Sequence, residues 1–338
     1  MSQPQAATPP AEKADRKRPL SGITRGELLG RAREGGIIYP FIILFIVLAL
    51  WKGETFYGKT NLLAILDQQS STLIIAAAGT LVVVAGGIDL SVGATYALAS
   101  VVATKLALST SPVLAIAAGI VVGLAVGLVN GVIATFFRIN SLIATLGMSF
   151  VVGGLAGLVT SGNLIIAYSA LGFGNLARTS FLGVTTATWT MIAVVVVLGI
   201  VLWRTIFGRY IYASGSNAEA ARLAGVRVQW IRLLTFTISG GAAALGGIID
   251  ASRVLSAQAS NGGTTLTFTV LAGIVVGGTS ILGGEGAIWR TVVGTLFIAL
   301  IGNGFVLLAL NPLYEQITLG GILLIAVGGD AWSRLRTT

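Results

Sequence analysis

Ser216-Asn217-Ala218-Glu219-Ala220-Ala221-Arg222-Leu223-Ala224-Gly225 reads as a complete short helix, set inside the one long polar interruption of an otherwise lipid-soluble chain. Both of its ends are marked. Ser216 with Glu219 three residues on has the spacing of a capping box, in which each side chain bonds the other residue's backbone amide. Gly225 supplies a left-handed stop. A helix of about two turns is not stable alone in water, so the segment needs a surface: lipid headgroups, its own spans or a partner protein. The competing reading is a solvated loop. Arg204, Arg209, Arg222, Arg227 and Arg232 add positive charge along the interruption, which divides the chain into two apolar halves.

Composition sets the class. The 338 residues are 55% hydrophobic and 10% charged, with a mean hydropathy of +0.92, whereas soluble domains carry about 25% charged residues. This predicts an all-α polytopic membrane protein. A net charge of +9 would suggest nucleic acid in a soluble protein, but here the basic residues lie between apolar runs, where the positive-inside rule explains them. Nucleic acid is set aside. The chain has no cysteine and no histidine, which removes disulfides, thiolate or imidazole metal sites and the usual base of a nucleophilic triad. No metal, no cofactor and no catalytic residue is expected, and the chain is read as a non-enzyme.

Residues 1–22, rich in Ala, Pro, Lys and Arg, read as a disordered cytoplasmic tail, and 23–36 as an interfacial segment. Ten apolar runs follow, at about 37–51, 62–85, 91–109, 112–136, 140–160, 186–204, 233–255, 264–282, 288–310 and 314–332, with a tail at 333–338. The membrane-spanning body is thus 37–332, with a central loop at 204–232. Placing the amino terminus inside puts 16 of the 21 Lys and Arg on the cytoplasmic side, leaving Lys52, Lys59, Lys105, Arg178 and Arg253 outside. That asymmetry predicts an even number of spans and both termini in the cytoplasm.

Glycine, 46 residues in all, recurs every fourth position at Gly119, Gly123, Gly127 and Gly131, and again at Gly273 and Gly277. Such stripes let helix backbones approach closely in lipid, and helix packing is the reading preferred over ligand contact. Gly53 to Thr60 matches the spacing of a phosphate-binding loop and Gly172 to Ala177 resembles a dinucleotide fingerprint. The required strand-to-helix context is missing from both, so the chain carries no ATP site of its own. Gly86-Gly87-Ile88-Asp89-Leu90-Ser91-Val92-Gly93 is the sharpest local motif: two glycines end one helix, and Asp89 or Ser91 can cap the next. It reads either as a tight turn or as a hinge whose Asp89 holds neighbouring helices together.

That octapeptide, followed by Gly208-Arg209-Tyr210-Ile211-Tyr212-Ala213 leading into Ser216-Asn217 and Ala220 to Gly225, and then Gly277-Gly278-Thr279-Ser280-Ile281-Leu282-Gly283-Gly284, resembles the permease subunit of ribose-type bacterial ABC sugar importers. The likeness covers roughly residues 37–332. It implies a pair of permease subunits (a second copy or a paralogue), a cytoplasmic ATPase that binds ATP and Mg, and a periplasmic sugar-binding protein. For Arg209, Ser216, Asn217, Glu219, Arg222 and Gly225 it implies a coupling segment docked on the ATPase. One departure stands out: many relatives carry an acidic residue a few positions before the Gly-Gly-Thr-Ser motif, where this chain has Leu266-Thr267-Phe268-Thr269-Val270.

Transport by alternating access would need a weakly polar path. Gln68, Gln69, Asn130, Gln258 and Asn303 are candidates to line it, with Tyr96 or Phe305 offering ring faces; the competing role for each is hydrogen bonding between helices. A proton- or sodium-coupled carrier is the alternative from another class, disfavoured because the acidic residues, Asp89 among them, fall near the ends of the predicted spans. A branched-chain amino acid permease of the ABC type is the nearest rival, and a non-transporting scaffold the third.

Overall fold

The computed structural model describes residues 36–335, so the tail at 1–22, nearly all of 23–36 and residues 336–338 lie outside the described residues. Each of the ten apolar runs falls on a helix or on a bent helix pair. α1 (Ile38–Lys52) leads through the one-turn α2 (Glu54–Tyr57) to α3 (Lys59–Gln68) and α4 (Ser70–Val84), which meet at a bend of 50°. α5 (Val92–Ala107), α6 (Pro112–Thr135), α7 (Ser141–Thr160), α8 (Leu171–Arg178) and α9 (Thr186–Arg204) complete the first half. The polar interruption forms α10 (Ile206–Ser216) and α11 (Ala218–Leu223). After it come α12 (Val228–Val254), α13 (Gly263–Val276), α14 (Ile288–Leu307) and α15 (Pro312–Leu335), which extends into the expected tail. Four two-residue strands pair antiparallel as β1 (Ile165–Ile166) with β4 (Ser256–Ala257) and β2 (Ser180–Phe181) with β3 (Val184–Thr185).

Helix starts follow the sequence signals. Ser111 caps α6 ahead of Pro112, Asn140 caps α7 and Thr185 caps α9, each accepting a backbone N–H of the first turn. By length and composition α6, α7, α9, α12 and α14 suffice to cross a membrane, the α3–α4 pair makes a sixth, and α1, α5, α13 and Leu313–Ala326 are shorter apolar helices. Gly53 to Thr60 lies across α2 and the start of α3, and Gly172 to Ala177, expected as a loop, lies within α8 with Phe173 buried. Gly53 to Thr60 follows no strand, and the two-residue β1 ahead of α8 pairs antiparallel with β4, which is not a strand-helix-strand unit.

α12, 27 residues long, is the central post, with α4, α5 and α6 packed around it. The stripe Gly119, Gly123, Gly127 and Gly131 is wholly buried against it: a Cβ on Gly123 would overlap Gly240 and Ala244, and one on Gly127 would overlap Phe236. In the second half, a Cβ on Gly273 would overlap Thr295, and one on Gly277 would come within 2.9 Å of the Thr291 Cα. Both stripes are therefore packing surfaces, as lipid demands.

Two stretches inside the bundle are not helical. α4 ends in a Schellman turn, with Gly86 at φ +81° and the Gly86 and Gly87 N–H groups bonded to Val83 and Val82 carbonyls. The chain then passes α7, where Ile88 N–H donates to Ser141 Oγ (3.1 Å) and Leu90 N–H to Thr145 Oγ1 (2.9 Å). The second stretch follows α12. Leu255 adopts a left-handed conformation, β4 pairs with β1, and residues 258–262 return along α5 to the start of α13. There Gly93 and Gly263 touch: a Cβ on Gly93 would overlap the Gly263 carbonyl, and Thr267 Oγ1 accepts the Gly93 N–H at 3.2 Å. Gly247 packs on the Tyr96 carbonyl, seven residues short of Val254. Gly93, where α5 meets α13, lies three residues further in than Tyr96, so both helices begin about 15 Å inside that end of the bundle, ten residues at 1.5 Å each.

The recurrence of Gly86, Gly87 and Gly93 at Gly277, Gly278 and Gly284 is not a structural repeat. The left-handed turn residue after α4 is Gly86 but after α13 is Gly278, also with a Schellman pattern, so the two turns correspond one residue out of that register.

Gly127→Leu should cost at least about 1–3 kcal/mol through overpacking against α12, whereas Gly153→Ala, with nothing within 4 Å of its Cβ position, should be neutral. Thermal unfolding in detergent, read by size exclusion, checks the contrast.

Candidate functional site

The three sequence motifs meet at one place, the end of the bundle where α4 and α10 finish and α12 begins. Val84 O accepts the Gly284 N–H at 2.9 Å. A Cβ on Gly215 would overlap Val84 O, one on Gly284 would overlap Ser216, and one on Gly283 would lie 2.8 Å from the Gly86 Cα. Three backbones thus lie in direct contact, with no side chain between them. Arg232 closes the junction, donating from Nε to Ala85 O (2.9 Å) and from Nη2 to Ser214 O (3.1 Å). Tyr212 Oη donates to Gly286 O at 2.7 Å, and burial pushes this phenol above its usual range, so it stays a neutral donor.

From the junction the chain runs directly to Asp89, which is 6% exposed. Its Oδ1 accepts the Ser91 N–H (3.0 Å) and hydroxyl (2.7 Å), its Oδ2 accepts Ser239 Oγ of α12 (2.9 Å), and Asn130 of α6 donates to Ser91 Oγ at 2.7 Å. The carboxylate therefore holds the non-helical stretch to α6 and α12. Ser91 makes no cap bond to α5. Asp89 also sits deeper than the sequence placed it: Ser239 is eleven residues into α12, roughly 16 Å along its axis.

The short helix is where it was expected, but its cap is not. Ser216 ends α10, its hydroxyl donating to Tyr212 O, while Asn217 Oδ1 accepts the Ala220 N–H at 2.9 Å. The capping box fails because Ser216 is still helical and its backbone is pressed against Gly284. Glu219 instead pairs with Arg222 at 2.6 Å, a hydrogen bond that raises the Arg222 guanidinium pKa. Gly225, at φ +85°, ends α11 as predicted. Ala221 is buried and Val226 packs into the main core, whereas Arg209, Glu219, Arg222 and Leu223 are exposed. Beneath lies a cavity of about 940 Å³ walled by Gly86, Gly87, Arg138, Glu219, Arg222, Arg227 and Arg232 among others.

The path candidates scatter. Asn303 and Asn61 exchange amide hydrogen bonds at 2.9 and 3.2 Å, Asn130 is committed to Ser91, and Tyr96 Oη donates to Asp250 at 2.7 Å. These three join helices. Phe305 and Gln69 are half-buried, Gln68 is exposed beside the α3–α4 bend, and Gln258 is exposed on the returning stretch. Sequence reasoning missed a cluster at the far end of α12: Arg253 pairs with Asp67 (3.3 Å) and Asp250 (2.5 Å) and donates to Ser70 Oγ (2.9 Å). The i,i+3 spacing of Asp250 and Arg253 was the available signal.

Asn217→Ala should cost about 1 kcal/mol of α11 stability and speed amide exchange at Ala220, while Ser216→Ala should leave that exchange unchanged; hydrogen–deuterium exchange separates the two caps.

Residues 61–327 match the family model described as branched-chain amino acid transport system / permease component. The ribose import permease protein RbsC of Bacillus subtilis is 37% identical over 292 residues, covering 85% of this chain and 90% of that one. RbsC of Escherichia coli K12 is 36% identical over 290 residues (85% and 90%), and the L-arabinose ABC transporter permease protein AraH of Azospirillum brasilense 37% over 313 (92% and 91%). No solved structure matches the chain. With its apolar helices, glycine-packed core and matches along most of its length, the chain belongs to this family of multi-pass membrane permease components.

Proposed function

We propose that this chain is the membrane-spanning permease subunit of an ATP-driven ABC importer, moving a monosaccharide or related polyol by alternating access. The observation that carries the reading is α11, held to the bundle by one face and presenting Glu219, Arg222 and Leu223 on the other. The glycine junction roots it into the turn that leads to Asp89. A push on α11 from a cytoplasmic ATPase would displace α4, α10 and the segment before α14 as one body. ATP and Mg would be bound by that partner. In this reading all ten apolar segments cross the bacterial inner membrane, with both termini and the arginine-walled cavity in the cytoplasm. A second permease copy or a paralogue completes the path, and a periplasmic binding protein delivers the solute. The relatives named for ribose and arabinose favour a sugar over the amino acid in the family's description.

The second reading, a proton- or sodium-coupled carrier, gains one observation: Asp89 is a carboxylate buried inside the bundle. Against it, both Asp89 oxygens already accept hydrogen bonds from Ser91 and Ser239, which is the arrangement of a structural staple.

Purified from membranes in mild detergent, the tagged chain should bring a stoichiometric ATPase with it. Glu219→Ala with Arg222→Ala should reduce that recovery, or ATP-driven uptake, while membrane insertion is retained; normal transport by the double variant would remove α11 from coupling. Uptake that continues without ATP under an intact proton gradient would favour the carrier. Competition by unlabelled ribose against leucine separates sugar from amino acid. Asp89→Asn, which turns an acceptor into a donor facing Ser91, should lower uptake by about tenfold, as the loss of a charge-assisted hydrogen bond implies, with assembly retained. An unaltered rate would reduce Asp89 to a turn residue.

A further inference from the structure

The returning stretch between α12 and α13 is polar in a place where lipid would not allow it. Gln258, Ser260, Thr264 and Thr265 are exposed and Asn261 is half-buried, yet no hydrogen bond is formed by any of these five side chains among the described residues. The backbone is equally unfinished: the Thr264 and Thr265 N–H groups, in the first turn of α13, have no carbonyl to reach. In the comparable stretch at residues 88–91 the Ile88 and Leu90 amides are answered by α7 hydroxyls and the Ser91 amide by the Asp89 carboxylate. Depth makes the difference matter. Gly262 lies against the Tyr96 ring and Gly263 against Gly93, about 15 Å from the end of α12 and so near the middle of a hydrocarbon layer of about 30 Å. Irregular backbone with open polar groups persists at such depth only where it lines a water-filled path or is covered by protein. Hydroxyls and amides that neither carry charge nor bind one another are suited to exchange hydrogen bonds with a polyhydroxylated, uncharged solute and then release it.

We propose that residues 258–265 are the part of this chain that touches the transported sugar, contacting its hydroxyls midway through the membrane through Ser260, Asn261, Thr264 and the open amides of α13. Gln258 guards the outer approach. The inference rests on the importer reading, but its test is separate. The chain has no cysteine, so single-cysteine variants need no background changes. Ser260→Cys and Thr264→Cys, in the full complex reconstituted into liposomes, are treated with a membrane-impermeant methanethiosulfonate reagent. Ribose, L-arabinose or galactose is present or absent. Val121→Cys, exposed on apolar α6 and nine residues from its start, lies at a similar depth and serves as the lipid-facing control.

The expected result is modification of both variants but not of Val121→Cys, slowed by at least one of the three sugars. Ser260→Ala combined with Thr264→Val should raise the KM for that sugar by about tenfold, the loss of roughly two neutral hydrogen bonds. Ser260→Cys and Thr264→Cys as unreactive as Val121→Cys, or reactive but unaffected by every sugar, would overturn the assignment. ATP dependence of uptake, measured on the same liposomes, reports independently on the importer reading: uptake without ATP would fail that reading whatever the labelling shows.

Discussion

Direct contact between three backbones, at Val84–Gly86, Gly215–Ser216 and Gly283–Gly284, is the constraint on which the working part of this molecule depends. Side-chain contacts can yield by changing rotamer; a carbonyl lying where a glycine has no Cβ cannot. Because lipid tails are as apolar as Leu, helices in a bilayer are held by packing and hydrogen bonds and not by apolar burial. The Val84 carbonyl, the Gly284 amide and the Arg232 guanidinium supply both at once. The short helix α11 is therefore rigidly attached to the end of α4 although it belongs to a different half of the sequence.

The two interruptions of the bundle follow from the same rule and solve it in opposite ways. At residues 88–91 the Ile88 and Leu90 amides are answered by Ser141 and Thr145, and the Asp89 carboxylate is answered by Ser91 and Ser239. Residues 258–265 keep their polar groups open. In the proposed function the first interruption transmits position and the second meets the solute.

The sequence was most informative where physics is periodic. Apolar runs located every long helix, the every-fourth glycine of α6 foretold its face against α12, and Gly225 marked a stop that has the expected left-handed angle. It was less informative where two local signals compete. Ser216 and Asn217 are both good caps, and only the clash of Ser216 with Gly284, 68 positions away, decides between them. Likewise, residues 277–282 read as continuous with the apolar run before them, and residues 88–91 as a turn or hinge between two runs. Whether such residues are helical depends on what satisfies their amides, which hydropathy does not record. Asp89 was placed at a span end for that reason, when it lies well inside. Arg253 was counted only as a charge outside or near the outer surface, and its ion pairs to Asp67 and Asp250, which tie α3 to α12, were not foreseen.

The absence of a carboxylate from Leu266 to Val270 becomes intelligible at the contact of α5 with α13. Thr267 is buried, its hydroxyl donating to Gly263 O at 3.0 Å and accepting from Gly93 N–H at 3.2 Å. A single neutral group thus closes one open amide of α5 and fastens the first turn of α13 across a gap that admits no Cβ at Gly93. A carboxylate at Thr267 could accept from Gly93 but could not, when ionised, donate to Gly263, and its burial there would call for a cation. Arg232 and Arg253 of the neighbouring α12 are already committed to Ala85 and Ser214 and to Asp67 and Asp250. At Thr267 a hydroxyl is therefore the group that satisfies both helix starts, and the open polar stretch beside it stays free of fixed charge.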